Sequence, residues 1–179
     1  MTDTGQRLRV VLLTGDGKGK TSSALGMVLR AAGHGLRVSV IQFIKQCGDT
    51  GEARALRLLP GVALHICGNG FVFPSDATDT RERHRAAAED GLALARTALA
   101  DPQIAMVLLD EICVAVALDL LAVQDVLDTL QTATDGKIII LTGRNAPQEF
   151  IDLADTVSDI HALKHGFYSH HPAQPGVEF

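Results

Sequence analysis

Apolar stretches of strand length alternate along the chain with segments whose apolar positions recur every three to four residues. RLRVVLLT (7–14) is rich in β-branched and aliphatic residues and predicts a buried strand. KTSSALGMVLRAAGHG (20–35) has helical periodicity and predicts a helix that stops at Gly33 or Gly35. RVSVIQF (37–43) and VALHIC (62–67) predict a second and a third strand. A long amphipathic helix is expected from about Thr78 to Leu99, stopped by Asp101-Pro102. IAMVLLD (104–110) predicts a strand ending in acid, and a helical region over about 112–132 follows it. KIIILTG (137–143) predicts a fifth strand, PQEFIDLAD (147–155) a helix and TVSDIHAL (156–163) a last strand.

Alternation of apolar strands with helices implies an α/β fold: a mostly parallel, twisted sheet with helices on both faces. Ligands of such sheets bind beyond the C-terminal strand ends. The chemically distinctive segments 14–21, 43–52, 67–76, 110–112 and 142–147 all fall there. The pattern holds no internal repeat, low-complexity tract or linker, so one nucleotide-binding domain over residues 1–179 is expected.

Composition narrows the function classes. The 179 residues carry 16 Lys and Arg against 21 Asp and Glu, a net charge of −5, so there is no basic field for a nucleic-acid partner. No apolar run approaches the roughly 20 residues that span a bilayer, and MTDTGQRLRV lacks the apolar centre of a signal peptide. Cys47, Cys67 and Cys113 are odd in number and form no CxxC pair, which fits thiols in a reducing cytoplasm.

The turn after the first strand, LTGDGKGKTSS (13–23), holds Gly15, Gly17 and Gly19 with Lys18 and Lys20 in six residues. Gly19-Lys20-Thr21 matches the second half of the GxxxxGK[ST] phosphate loop, but Thr14 stands where the first glycine belongs and glycine arrives one position late, at Gly15. Strand before and helix after are the right context. Backbone N–H groups of Gly15 to Ser22, Asp16 included, can turn around an anion at a helix N-terminus. Lys20 can reach phosphate oxygens, Lys18 adds a second cation, and the Thr21 hydroxyl suits Mg²⁺. The plainer alternative is a flexible turn with solvated lysines.

A nucleotide site also needs an acid at a neighbouring strand end. Asp110 and Glu111 in MVLLDE supply it, and either can hold Mg²⁺ directly or through water. Either can equally begin the following helix as a cap. These parts imply binding of a Mg-nucleoside triphosphate in a P-loop (RecA-like) domain. Hydrolysis, phosphoryl transfer and a nucleotide switch would all use them.

Other motifs are less generic. QFIK (42–45) puts Lys45 at the end of the second strand, and LTGR (141–144) puts Arg144 at another, where a guanidinium suits phosphate or carboxylate. GNGFVF (68–73) puts Phe71 and Phe73 on a strand-end loop in a chain with six Phe, one Tyr and no Trp. They are either core plugs or a surface for something apolar. Arg30 lies on the helix after the loop and reads as a nucleotide contact or a solvated charge. His161, His165, His170 and His171 match no zinc spacing, and RERHR (81–85) reads as a solvated helical face.

In order and spacing these segments resemble the P-loop ATP:corrinoid adenosyltransferases over about Val10 to Phe179. TGDGKGKT is similar to that family's TGNGKGKT, GFVF to its GFxW, KHGF to KHPF and AQPGVEF to AQxGIEY; QFIK, GE (51–52), LDE, LTGR.AP and DLAD.VS fall in sequence between. The late glycine is the family's own form. The resemblance implies that a reduced corrinoid, cob(I), attacks the 5′ carbon of ATP, that adenosyl passes to cobalt and that triphosphate leaves. Lys20, Glu111, Phe71 and Phe73 would be the catalytic set. Gly15 to Ser22 with Arg30, Lys45 and Arg144 would hold the nucleotide, and Thr21, Asp110 and Glu111 the metal. The two aromatics would fill the space under the corrin and displace its lower ligand. The resemblance also implies a homodimer and a reductant or flavoprotein that delivers electrons. A generic Mg-dependent ATPase or kinase, or a corrinoid- or ATP-binding module with little turnover, are the alternatives. Four departures stand out: Phe73 where Trp is common, Asp16 for Asn, Gly166 for Pro, and only about six residues before the first strand, where relatives carry an arm that closes the partner's site.

Overall fold

A computed structural model describes residues 7–46, 50–70, 72, 73 and 75–178. Six strands form one parallel sheet in the order β3-β2-β4-β5-β1-β6: β1 (Arg9–Thr14), β2 (Val38–Gln46), β3 (Val62–Gly68), β4 (Met106–Asp110), β5 (Ile138–Thr142) and β6 (Thr156–Asp159). The helices are α1 (Lys20–Gly33), α2 (Gly51–Arg57), α3 (Thr78–Ala100), α4 (Ile112–Ala117), α5 (Val123–Leu130) and α6 (Gln148–Leu153), with a 3-10 turn at Gly166–Ser169. The expected α/β architecture, with strands parallel throughout, is what the chain adopts.

Strand pleating divides the core in two. Val107, Leu109, Ile139 and Leu141 face one side, where they meet Leu92 and Leu99 of α3, Ile112 of α4, Val126 of α5 and Phe150 of α6. Met106, Leu108 and Ile140 face the other, against Ala24 and Val28 of α1 and Leu56 of α2. Both faces of the central strands are therefore apolar, and all five residues of β4 are buried. Lys137, buried just before β5, donates to the carbonyls of Ala98, Asp101 and Ile104 and ties down the end of α3. Among the described residues no helix is long and apolar enough to cross a membrane.

Three elements differ from the sequence expectation. The region 112–132 is two helices, because Asp119 takes a left-handed conformation (φ 55°) and the turn sends the adjacent Leu120 and Leu121 both into the core. A short helix, α2, follows β2; Thr50 caps it by accepting the Ala53 N–H. β6 ends at Asp159 rather than 163: among the described residues it is an edge strand paired only with β1, and it is exposed at every position. Beyond it the chain crosses the turn after β1.

β5 lies between β1 and β4, the RecA-like arrangement. From β1 the chain passes over the positions of β5 and β4 to reach β2 and then β3, whereas β4, β5 and β6 are added in the opposite sense across the sheet. A crevice opens above the C-terminal ends of β1, β5, β4 and β2, as expected at a topological switch point.

Candidate functional site

The turn 15–19 joins β1 to α1 at this crevice. Gly15 has φ +95°, and a Cβ on it would collide with the Asp159 carboxylate and the Ile160 backbone. Gly17 donates its N–H to the Ile160 carbonyl at 2.6 Å, and a Cβ there would sit 2.6 Å from the same oxygen. The displaced first glycine now has a reason. Thr14 is still strand, in register with Asp159, and the turn begins only at residue 15. Gly19 precedes α1 without a side-chain cap, so the first-turn N–H groups remain available to an anion.

Lys20 is buried, and its Nζ donates to the carbonyls of Gly15 (2.6 Å) and Gly17 (2.7 Å). Burial lowers its pKa, and nearby Arg144 lowers it further; Glu111, Asp16 and Asp159 pull the other way. The ammonium thus folds over the loop in a cationic corner that an anion would relieve. Lys18 is exposed and lies 3.6 Å from Glu178 of the C-terminal tail.

The end of β4 carries the densest hydrogen bonding. Asp110 is fully buried. Its Oδ1 accepts the hydroxyls of Thr21 (2.9 Å) and Thr142 (2.7 Å). Its Oδ2 accepts Gln42 Nε2 (3.0 Å) and lies 3.3 Å from Lys45 Nζ, which reaches Glu52 at 3.4 Å. Glu111 follows in a left-handed conformation (φ 64°, ψ 21°), rare for a side chain of its size, and its N–H donates to Thr142 Oγ1 at 2.9 Å. Burial raises the Glu111 pKa, and the adjacent Asp110 adds to this; Lys45, Lys20 and Arg144 oppose it.

This donor set is all oxygen, which fits a hard cation such as Mg²⁺ that keeps waters and takes its other ligands from phosphates. Asp110 already receives four donors. It therefore fits as the group behind the metal, with the Thr21 hydroxyl oxygen and the Glu111 carboxylate as the groups that could hold it. Because the Thr21 proton points at Asp110, the oxygen lone pairs are left for the cleft. Among the described residues no three His, Cys, Asp or Glu side chains cluster as a metal site of their own.

A cleft of about 1050 Å³ covers these groups. Gly17 to Ser22, Lys45, Glu111, Arg144 and Phe73 line it, as do Glu52, His165 and Glu178. Phe73 is 55% exposed, and its N–H is held by Asp76 Oδ2 at 2.7 Å. Asp110 sits beneath the cleft floor. Gly15 shapes the loop from behind and Asp16 is exposed outside the cleft lining. Arg30 is exposed in the last turn of α1, about 15 Å of helix rise from Lys20, and does not line the cleft. Phe71 lies outside the described residues.

The sequence reading missed Gln42 and Thr142. Gln42 lies inside β2 and Thr142 ends β5, both within motifs whose last residue drew attention instead. Burial, with the charge of Glu111 adding to it, pushes the Cys113 thiol up to about 12, so Cys113 is no ready nucleophile.

A glycine turn between a first strand and its helix, with a carboxylate at a strand end one strand removed, defines a P-loop nucleotide-binding domain. Residues 6–179 match the family model described as ATP:corrinoid adenosyltransferase BtuR/CobO/CobP. The chain is 42% identical over 174 residues to a corrinoid adenosyltransferase of Pseudomonas aeruginosa, covering 96% of this chain and 84% of that one. It is 38% identical over 170 residues to one of Escherichia coli (95% and 85% covered) and 36% over 181 residues to one of Sinorhizobium (99% and 83%). The chain belongs to the ATP:corrinoid adenosyltransferase family.

Proposed function

We propose that the chain transfers the 5′-deoxyadenosyl group of ATP to the cobalt of a reduced, cob(I) corrinoid and releases triphosphate. The cobalt electron pair forms a bond to C5′, and the C5′–O5′ bond breaks with its pair leaving on triphosphate. No proton moves, so the step needs no general base. The observation that carries the reading is one roomy cleft lined by Gly17 to Ser22 of the loop together with Glu111, Arg144 and Phe73.

The leaving group develops the charge, so the useful groups are those that meet it. Lys20 exchanges the Gly15 and Gly17 carbonyls for phosphate oxygens, and Lys18 and Arg144 add charge from either side. Thr21 and Glu111 would hold Mg²⁺, which would supply charge neutralisation for the triphosphate. Phe73, on the cleft lining, and Phe71, which lies outside the described residues, are the aromatics this reading assigns to the lower face of the corrin. What remains is alignment of C5′ between cobalt and the leaving oxygen. The same reading includes a cytoplasmic setting, a reductant or flavoprotein donor and a homodimer.

Anaerobic incubation with MgATP and a chemically reduced corrinoid tests it. The corrinoid spectrum is expected to become that of an alkylcobalt species. An unchanged spectrum with folded protein, or ADP formed at the same rate without corrinoid, would refute it.

A further inference from the structure

We infer that Thr142 is a positioning residue that sets the geometry of the metal-side groups from behind. This rests on the metal reading above. Thr142 ends β5, the strand between β1 and β4, and is fully buried. Its register partner on β1 is Leu13, two residues before the turn. It is therefore level with both the phosphate loop and the acid at the end of β4.

A hydroxyl has one proton and two lone pairs. The Thr142 proton goes to Asp110 Oδ1 at 2.7 Å, and a lone pair takes the Glu111 N–H at 2.9 Å. One oxygen thus grips the carboxylate and the following peptide together. Asp110 Oδ1 has one other donor, the Thr21 hydroxyl. Holding Oδ1 fixes the direction in which Thr21 gives up its proton, and so the direction of the lone pairs it offers the cleft.

The Glu111 peptide is held from two sides. Its carbonyl accepts the Ala115 N–H at 3.1 Å and starts α4, while its N–H is held by Thr142. Between these anchors the residue stays left-handed, a conformation that costs free energy unless its surroundings impose it. Without the hydroxyl the N–H has no partner and the residue can relax, carrying its carboxylate away from the cleft. Gln42 and Lys45 hold only the other oxygen, Oδ2, and cannot substitute.

A residue that merely fills the end of β5 would affect stability and nothing else. Thr142→Val keeps the shape and removes the hydroxyl, and Thr142→Ser keeps the hydroxyl. ATP binding is measured by calorimetry in EDTA and in Mg²⁺, and Mn²⁺ binding by electron paramagnetic resonance. T142V is expected to bind ATP in EDTA like the parent but to lose about tenfold or more of Mn²⁺ affinity and of the metal-dependent gain in ATP affinity. T142S should retain both. Equal metal-dependent gain in T142V and parent, or equal loss in the Val and Ser variants, would overturn the assignment. A parent with no metal-dependent gain would overturn the metal reading itself and this inference with it. If T142V does not fold, Thr142→Cys, close in size but a poor donor, is judged by the same outcomes.

Discussion

Asp110→Asn removes one charge and no volume. The parent carboxylate receives the Thr21 and Thr142 hydroxyls on Oδ1 and Gln42 and Lys45 on Oδ2, with none of its surface exposed. An amide must turn its NH₂ toward one of these pairs. Gln42 Nε2 and the Lys45 ammonium are donors that cannot become acceptors, so the NH₂ faces the threonines, whose hydroxyls can reverse. Lys45 loses its buried counter-charge but keeps Glu52 at 3.4 Å and is partly exposed. The destabilisation should therefore fall short of the 3–5 kcal/mol of a fully buried broken pair, at about 2–3 kcal/mol. For a chain of this size that is a fall in Tm of roughly 5–10 °C. Thr21, now accepting rather than donating, points its proton into the cleft and repels a cation. Thermal unfolding of the ligand-free protein reads the first effect, and ATP titration with and without Mg²⁺ reads the second. A D110N protein with unchanged Tm, or with the full metal-dependent gain in affinity, would refute the reasoning.

Lys20→Ala should weaken ATP binding by about 30-fold or more, since charge-assisted hydrogen bonds contribute about 1.5–3 kcal/mol each, with circular dichroism unchanged; unaltered affinity in a calorimetric titration would remove Lys20 from the phosphate site. Phe73→Ala should leave ATP affinity and Tm near the parent's, because the side chain is largely exposed, yet slow formation of the cobalt–carbon bond about tenfold or more through lost apolar contact, with Phe73→Trp at least restoring it. Glu111 has a folded-state pKa above its ordinary 4.5, chiefly through burial. Its protonated form thus stabilises the fold below 4.5, and that contribution is lost as pH rises through the folded value. Metal-dependent ATP affinity should rise over the same window, and Glu111→Gln should abolish that rise in a titration series across pH.

Much of the site was legible because its chemistry is local. A run of three glycines and two lysines between a strand and a helix needs no tertiary information, and Asp110-Glu111 at the end of an apolar strand announces itself. What joins them is not local. Thr21, Gln42, Asp110 and Thr142 come from four elements, and their hydrogen bonds follow from the strand order, which periodicity alone does not give. The break between α4 and α5 was hidden because Asp119 is flanked by good helix formers, and only burial of Leu120 and Leu121 together reveals the turn. Arg30 shows how helix geometry separates residues that are near in sequence. It shares a helix with the loop lysine, but its position in the last turn carries it away from the cleft.

The most direct measurement follows carbon-13 placed at C5′ of ATP during anaerobic turnover with a reduced corrinoid and Mg²⁺. Adenosyl transfer predicts that the label moves onto cobalt while one intact triphosphate appears for each labelled carbon transferred. Label that stays on the nucleotide, with ADP and inorganic phosphate accumulating instead, would contradict it.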